Sequence, residues 1–315
     1  MKATRDAYGH ALLALAERDP RIAVLDSDLS RSTHTDWFRE RFPDRHYNLG
    51  IAEANMIGVA AGMAMTGLVP FATTYAIFIG RAFDQIRQSV GYADSNVKIV
   101  ATHGGLSASH DGGSHQGIED LALMTAVPGM TVLSPADYHE TYQALLAAAA
   151  HQGPVYLRLS KFATEEVTEP DEAFRIGRAR VLREAGPAPD VGLLATGVVV
   201  PEALEAADKL RADGVTACVV NVPTLKPLDR ATLTEVAGRC TVLLTVEEHS
   251  VHGGLFAAVA ALLATGPHPP VHPVAMPDCY GRTGEWRDLL DEYGMTADHI
   301  AARARTVLDA AAGRS

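Results

Sequence analysis

Short apolar runs alternate with helical stretches from one end of this sequence to the other, and few folds satisfy such a pattern. The runs are IAVLDSD from Ile22, LVPFATT from Leu68, VKIVATH from Val97, MTVLSP from Met130 and PVYLRLS from Pro154. Between them, helical patterns cover Arg5 to Arg18, Ala52 to Thr66, Ile79 to Gly91, Ile118 to Thr125 and Asp137 to His151. Strands that are continuously apolar are buried on both faces, which predicts parallel sheets covered by helices on each side. After Lys161 the pattern lapses into a connector rich in Glu, Pro and Arg, with room for one strand. It resumes at VGLLATG from Val191 and continues through TACVVNV, TVLLTVEE and HPVAM. The expectation is an α/β protein of two domains, each a mainly parallel sheet flanked by helices: residues 1–165, a linker over 166–188, and residues 189–315.

Composition bounds the partners. With 47% hydrophobic and 21% charged residues, the chain has the balance of an ordinary globular protein. Its formal net charge of −11 argues against a nucleic acid or an anionic membrane as main partner. Any phosphate-bearing ligand then needs a local basic pocket. Ile57 to Gly80 carries no charge and is long enough to span a bilayer, but Gly67 and Pro70 break it. It is better explained as a buried helix ending at Gly67 and a buried strand. The N-terminal MKATRDAYGH lacks a signal-peptide core. Cys218, Cys240 and Cys279 show no paired spacing, so a reducing cytoplasm is expected.

In open parallel sheets, ligands bind beyond the carboxyl ends of the strands. Four segments deliver polar residues there. DSDLSRST follows the first strand with Asp26, Asp28, Ser30 and Ser32, and NLGIAEANM places Glu53 in the first turn of a helix. THGGLSASHDGGSHQG carries His103, His110, Asp111 and His115, and LRLSK ends the first-domain sheet with Arg158 and Lys161. Each has a structural alternative. Glu53 complements a helix dipole, and Asp26 and Asp28 cap a turn. The three histidines lack the paired carboxylate or Cys spacing of a metal site. The Gly-rich run matches neither GxGxxG nor Walker spacing. The residues by themselves predict a polar, His-rich ligand site and leave the reaction class open.

Taken together, YNLGIAEANMIGVAAGMA, PFATTYAIFIGRAFDQIR, VKIVATHGGLSASHDGGSHQGIEDLALM and MTVLSPAD resemble the pyrimidine-binding domain of transketolases. EEHSVHGGL and LLDEYGMTADHI resemble the transketolase C-terminal domain. The resemblance implies a thiamine-diphosphate-binding fold and transfer of a two-carbon ketol unit from a ketose to an aldose. The family's GDG…N segment, which holds the diphosphate and Mg2+ or a similar cation, has no counterpart here. The resemblance is therefore to the split form, whose N-terminal subunit supplies that site, with pairing to α2β2 expected. This chain would hold no metal and would be inactive without that partner.

By position, the resemblance makes Glu53 the activating carboxyl. It hydrogen-bonds the aminopyrimidine ring, and burial is expected to keep it protonated near neutrality. Tyr75 and Phe78 surround that ring, with Asp28 and Arg81 also beside the cofactor. His103, Asp111 and His115 contact the sugar hydroxyls and the transferred unit, and an ordinary imidazole pKa of about 6.5 suits a proton shuttle. Arg5, Ser32, His103 and Lys161 grip the phosphate of a sugar-phosphate substrate. The sequence departs from the family at Lys161, where Arg is usual, at His110, where Glu is common, and at Ala54, where Gln is common. The beta subunit of a 2-oxo-acid dehydrogenase shares the architecture, and a noncatalytic pairing subunit would share the fold.

Overall fold

A computed structural model describes residues 1–313. In chain order its strands are β1 (Lys2–Ala3), β2 (Ile22–Asp26), β3 (His46–Asn48), β4 (Val69–Tyr75), β5 (Lys98–Thr102), β6 (Thr131–Leu133) and β7 (Val155–Arg158). They continue with β8 (Ala163–Thr164), β9 (Arg180–Arg183), β10 (Val191–Ala195), β11 (Ala217–Asn221), β12 (Thr224–Lys226), β13 (Val242–Ser250) and β14 (Val271–Met276). Strands β2, β4, β5, β7, β10 and β11 are buried at every residue, the signature of sheets covered on both faces. The first sheet has the order β12-β6-β7-β5-β4-β2-β3 and the second β14-β13-β10-β11-β9. Both are parallel except at one edge of each, where β12 and β9 run antiparallel to β6 and β11. The expected parallel α/β architecture is what the structure has. No helix among the described residues is long and apolar enough to cross a membrane.

Several elements differ from the pattern-based expectation. The single helix expected from Ile79 to Gly91 is a relay of short helical pieces starting at Ala76. It runs through a 3₁₀ turn at Gly80–Ala82 and ends in a π-helical stretch, Ile86–Tyr92. The helix expected from Ile118 begins at Asp120, because Gly117 bridges Gly104 and the Ile118 carbonyl accepts the amide of Ser250. The connector carries two strands, β8 and β9, rather than one. Strand β12 lies far along the sequence yet extends the first sheet, pairing Thr224 with Leu133. Cys218 and Cys240, remote in sequence, lie 3.7 Å apart as buried free thiols.

A buried polar staple joins the two layers. Arg158, at the end of β7, donates from Nε to Asp120 at 3.0 and 3.1 Å, and from Nη2 to the carbonyls of Gly117 at 3.1 Å and Glu248 at 2.7 Å. Tyr156 adds its hydroxyl to Asp120 at 2.6 Å. Arg158 was expected to face the ligand edge. Instead the structure encloses it, because its guanidinium satisfies acceptors from both domains.

Candidate functional site

Register builds the site. Tyr75 pairs with Thr102 across β4 and β5, and Asp26 pairs with Asn48 across β2 and β3. Each strand therefore releases its chain at the same carboxyl edge. His103 follows Thr102 at once and turns back with φ of 56°, its Nδ1 2.9 Å from the Thr102 hydroxyl. This brings its ring onto Tyr75, with centroids 3.8 Å apart and planes 20° from parallel. Phe78, one helical turn beyond Tyr75, stacks on it at 5.5 Å and meets His115 edge-on at 5.4 Å. Four side chains from two strand ends thus form one aromatic row.

Glu53 lies at the far end of that row. It opens the helix Glu53–Met65, is 4% exposed, and accepts Arg81 Nη1 at 3.2 Å. The guanidinium of Arg81 also covers the Phe78 ring at 4.5 Å, so Glu53, Arg81 and Phe78 are contiguous. The expected setting for Glu53 was apolar. The structure adds a half-exposed cation, and the carboxyl serves here as an acceptor.

At the other end the charges are positive. Arg5 donates from Nη1 to the carbonyl of Ser32 at 3.0 Å, while its buried Nε has no hydrogen-bond partner. Burial lowers the pKa of Arg5, against the fields of Asp6 and Tyr75. Burial also raises the Tyr75 phenol, against a hydrogen bond to Ser32. His103 is pushed down to about 3, first by burial and then by the charges of Arg5, Lys161 and His34. The ordinary imidazole expected at position 103 is therefore corrected: this ring is neutral throughout the physiological range. Arg5, Ser32, Tyr75, His103 and Lys161 form one cluster at the sheet edge. Its orphaned guanidinium N–H and uncompensated cation suit an anion.

Other residues fall at its margins. Asp28 has φ of 64°, is exposed, and accepts Asn48 Nδ2 at 3.1 Å at the outer end of the edge. Asp26 is a buried structural cap, accepting the Thr35 hydroxyl at 2.7 Å and the amide of Asp28 at 2.8 Å. Asp111 is exposed, but its charge reaches Tyr75. His110 faces outward to Glu285 at 2.9 Å and takes no part in the cluster. Sequence reasoning missed His34, which stacks on Trp37 at 4.3 Å, lies 3.0 Å from Asp6 and adds to the positive field at His103. Its signal was its place two residues after Ser32. No group of three or more His, Cys, Asp or Glu among the described residues is placed to hold a metal ion.

The site is an open face. Along the helix that Glu53 opens, Ile51 just before it and Met65 at its far end are 76% and 87% exposed, and Gly58, Val59 and Gly62 are exposed between them.

Fold and edge together define a two-domain parallel-sheet protein with an aromatic and histidine-lined ligand face. The description "transketolase, pyrimidine binding domain" matches residues 1–166, and "transketolase, C-terminal domain" matches residues 177–300. The chain belongs to the transketolase family. A Methanocaldococcus jannaschii protein named for the C-terminal section of a transketolase is 41% identical over 306 residues, covering 96% of this chain and 95% of that protein. A 6-deoxy-6-sulfo-D-fructose transketolase subunit from a Clostridium species is 40% identical over 306 residues, covering 97% and 94%. A solved structure described as a split-gene transketolase, inactive β4 tetramer, superposes with a TM-score of 0.90. It is 46% identical and covers 98% of this chain and 99% of its own.

Proposed function

We propose that this chain is the pyrimidine-binding subunit of a two-component transketolase, completed by an N-terminal subunit and moving a two-carbon ketol unit from a ketose to an aldose. The observation that carries the reading is the aromatic row between a buried carboxyl at Glu53 and a cationic cluster at Arg5 and Lys161. The row suits a flat heterocycle, and the cluster suits the anionic end of a sugar. The relative named for a sulfonated fructose and the split-gene tetramer support both halves of the reading.

The residues present fit one half of thiamine diphosphate. Glu53 would hold the aminopyrimidine, with Phe78 and Tyr75 against it and Arg81 and Asp28 near it. When bound, the cofactor supplies the carbon nucleophile of ketol transfer. Its diphosphate and Mg2+ would fall to the N-terminal partner, because the family's GDG…N segment for them has no counterpart in this sequence. The role needs Glu53 to donate a hydrogen bond, which Oε2 would do while Oε1 keeps Arg81. His103, held neutral, and His115 would hydrogen-bond the sugar hydroxyls with Asp111. Arg5, the Ser32 segment and Lys161 would hold a terminal phosphate or sulfonate. Lys161 supplies a point charge without the bidentate fork of Arg.

The test is reconstitution. The chain, a diphosphate-binding N-terminal transketolase subunit, and the two combined are assayed for ketol transfer with thiamine diphosphate and Mg2+. Turnover is expected from the combination alone. Full turnover by this chain by itself, or none from a stable complex across phosphorylated and sulfonated ketoses, overturns the reading.

A further inference from the structure

The loop from Gly104 to Gly117 carries Asp111 and His115 on a backbone held partly by its own hydrogen bonds, Gly105 to Gly117 and His115 to Gly112 among them, and partly from outside. Besides His103, Ser109 has φ of 56°, a conformation that non-glycine residues adopt only when surroundings impose it. The imposing surroundings belong to the second domain. The Ser109 hydroxyl donates to the carbonyl of Gly284 at 2.7 Å, and Gln116 Nε2 donates to that of Arg282 at 2.9 Å.

At the centre is Glu248, on β13. It is 2% exposed, and its Oε1 accepts the Leu106 amide at 2.8 Å and the indole N–H of Trp286 at 2.9 Å. Its own carbonyl is held by Arg158, whose side chain also lies against Gly104. Next to Leu106, Gly105 has φ of +61°, and a Cβ there would come within 2.7 Å of Glu248 Cδ. The backbone and the carboxyl are therefore fitted to each other. Trp286 in turn stacks on Phe162 at 5.2 Å, the residue after Lys161, so the same clasp backs a second segment of the site.

Glu247 provides an internal contrast. It is equally buried on the same strand, and burial pushes both carboxyls up to about 7. Yet Glu247 accepts the amides of Leu255 and Phe256 and caps the helix Leu255–Leu263, touching nothing in the loop. Adjacent residues of the same chemistry thus have separate tasks, one within the second domain and one across to the first.

We propose that Glu248 is a positioning residue through which the second domain fixes the histidine loop of the first in its working shape. The inference rests on the proposed function for its kinetic consequence, and on geometry alone for the loop. Glu248 acts through the Leu106 amide, not on substrate or cofactor.

Three variants test it. Glu248→Gln keeps an oxygen that can accept from Leu106 and Trp286, while its new amide group replaces Oε2, which has no partner in any case. Glu248→Asp keeps the acid but withdraws it by one methylene. Glu247→Asp makes the same change beside it. Hydrogen exchange is read at the amides of residues 104–117 in the full chain, and kcat/KM and thiamine diphosphate affinity are read in the assembled pair.

Glu248→Asp is expected to speed exchange at Leu106 and its neighbours and to lower kcat/KM by about 10²-fold, as for a reacting group displaced by roughly 1 Å. Cofactor affinity should be unchanged. Glu248→Gln should restore both protection and turnover, and Glu247→Asp should speed exchange only at Leu255 and Phe256. Unchanged loop protection in Glu248→Asp, or lost turnover without loosening, overturns the proposal. Should the wild-type pair show no ketol transfer, the functional reading fails, and the exchange data still decide whether Glu248 is the clasp.

Discussion

Replacing Arg158 by Met removes the staple between the domains with little change in volume. The wild-type guanidinium meets Asp120 through Nε and serves the Gly117 and Glu248 carbonyls through Nη2. The Gly117 carbonyl keeps the Gly105 amide as a second donor. Asp120 keeps only the Tyr156 hydroxyl among these donors, and its charge is stranded where 1% of it is exposed. Breaking one side of a buried pair costs about 3–5 kcal/mol, chiefly because the remaining charge is uncompensated. Adding Asp120→Asn to Arg158→Met removes that charge and should recover part of the loss, a coupling that a double-mutant cycle reads directly. Urea unfolding at pH 7 followed by tryptophan fluorescence is the assay. The sequence has two tryptophans, Trp37 in the first domain and buried Trp286 beside Glu248 in the second. A loss below about 1 kcal/mol, the range of an exposed pair, would refute the reasoning, as would failure of the second substitution to recover anything.

Two further outcomes are expected. Burial pushes the Glu140 carboxyl up to about 7 from an ordinary 4.5, against hydrogen bonds from Ala136 and Asn221. The folded state holds that proton longer than the unfolded chain, so the contribution is complete below pH 4.5, falls as pH rises to 7, and is flat above. The stability of wild type relative to Glu140→Gln should therefore drop by about 3 kcal/mol across that window, and a pH-independent difference by chemical denaturation argues against it. Arg5→Ala should raise KM for a ketose with a terminal anion by about 10–100-fold, the worth of a charged hydrogen bond, while leaving an uncharged ketose unaffected. Equal effects on both would remove Arg5 from anion binding.

The parts of this molecule that were legible in sequence are those written locally. Continuous Val, Ile and Leu runs identify strands because both faces are buried, and polar residues at their ends mark the ligand edge. Glu53 and His103 were found that way, with the resemblance supplying expected roles, whereas Arg5, near the start of a helix, came from the resemblance alone. What escaped depends on partners distant along the chain. Strand β12 is three residues whose pairing lies across the domain division. Arg158 was counted as an edge residue because nothing in LRLSK announces Asp120 or the Glu248 carbonyl. Glu248 reads as the end of an apolar strand inside the EEHSVHGGL string, with nothing there to announce Leu106 or Trp286. The neutral state of His103 follows first from burial and then from Arg5, Lys161 and His34, three separate segments whose fields meet only in the fold.

The most direct test of the account replaces Glu53 with Gln in the assembled two-subunit enzyme and compares ketol transfer at saturating thiamine diphosphate. The carboxamide preserves size and keeps an acceptor for Arg81, so assembly should be intact, while turnover falls by about 10²–10⁴-fold. Turnover close to that of the wild-type complex would contradict it.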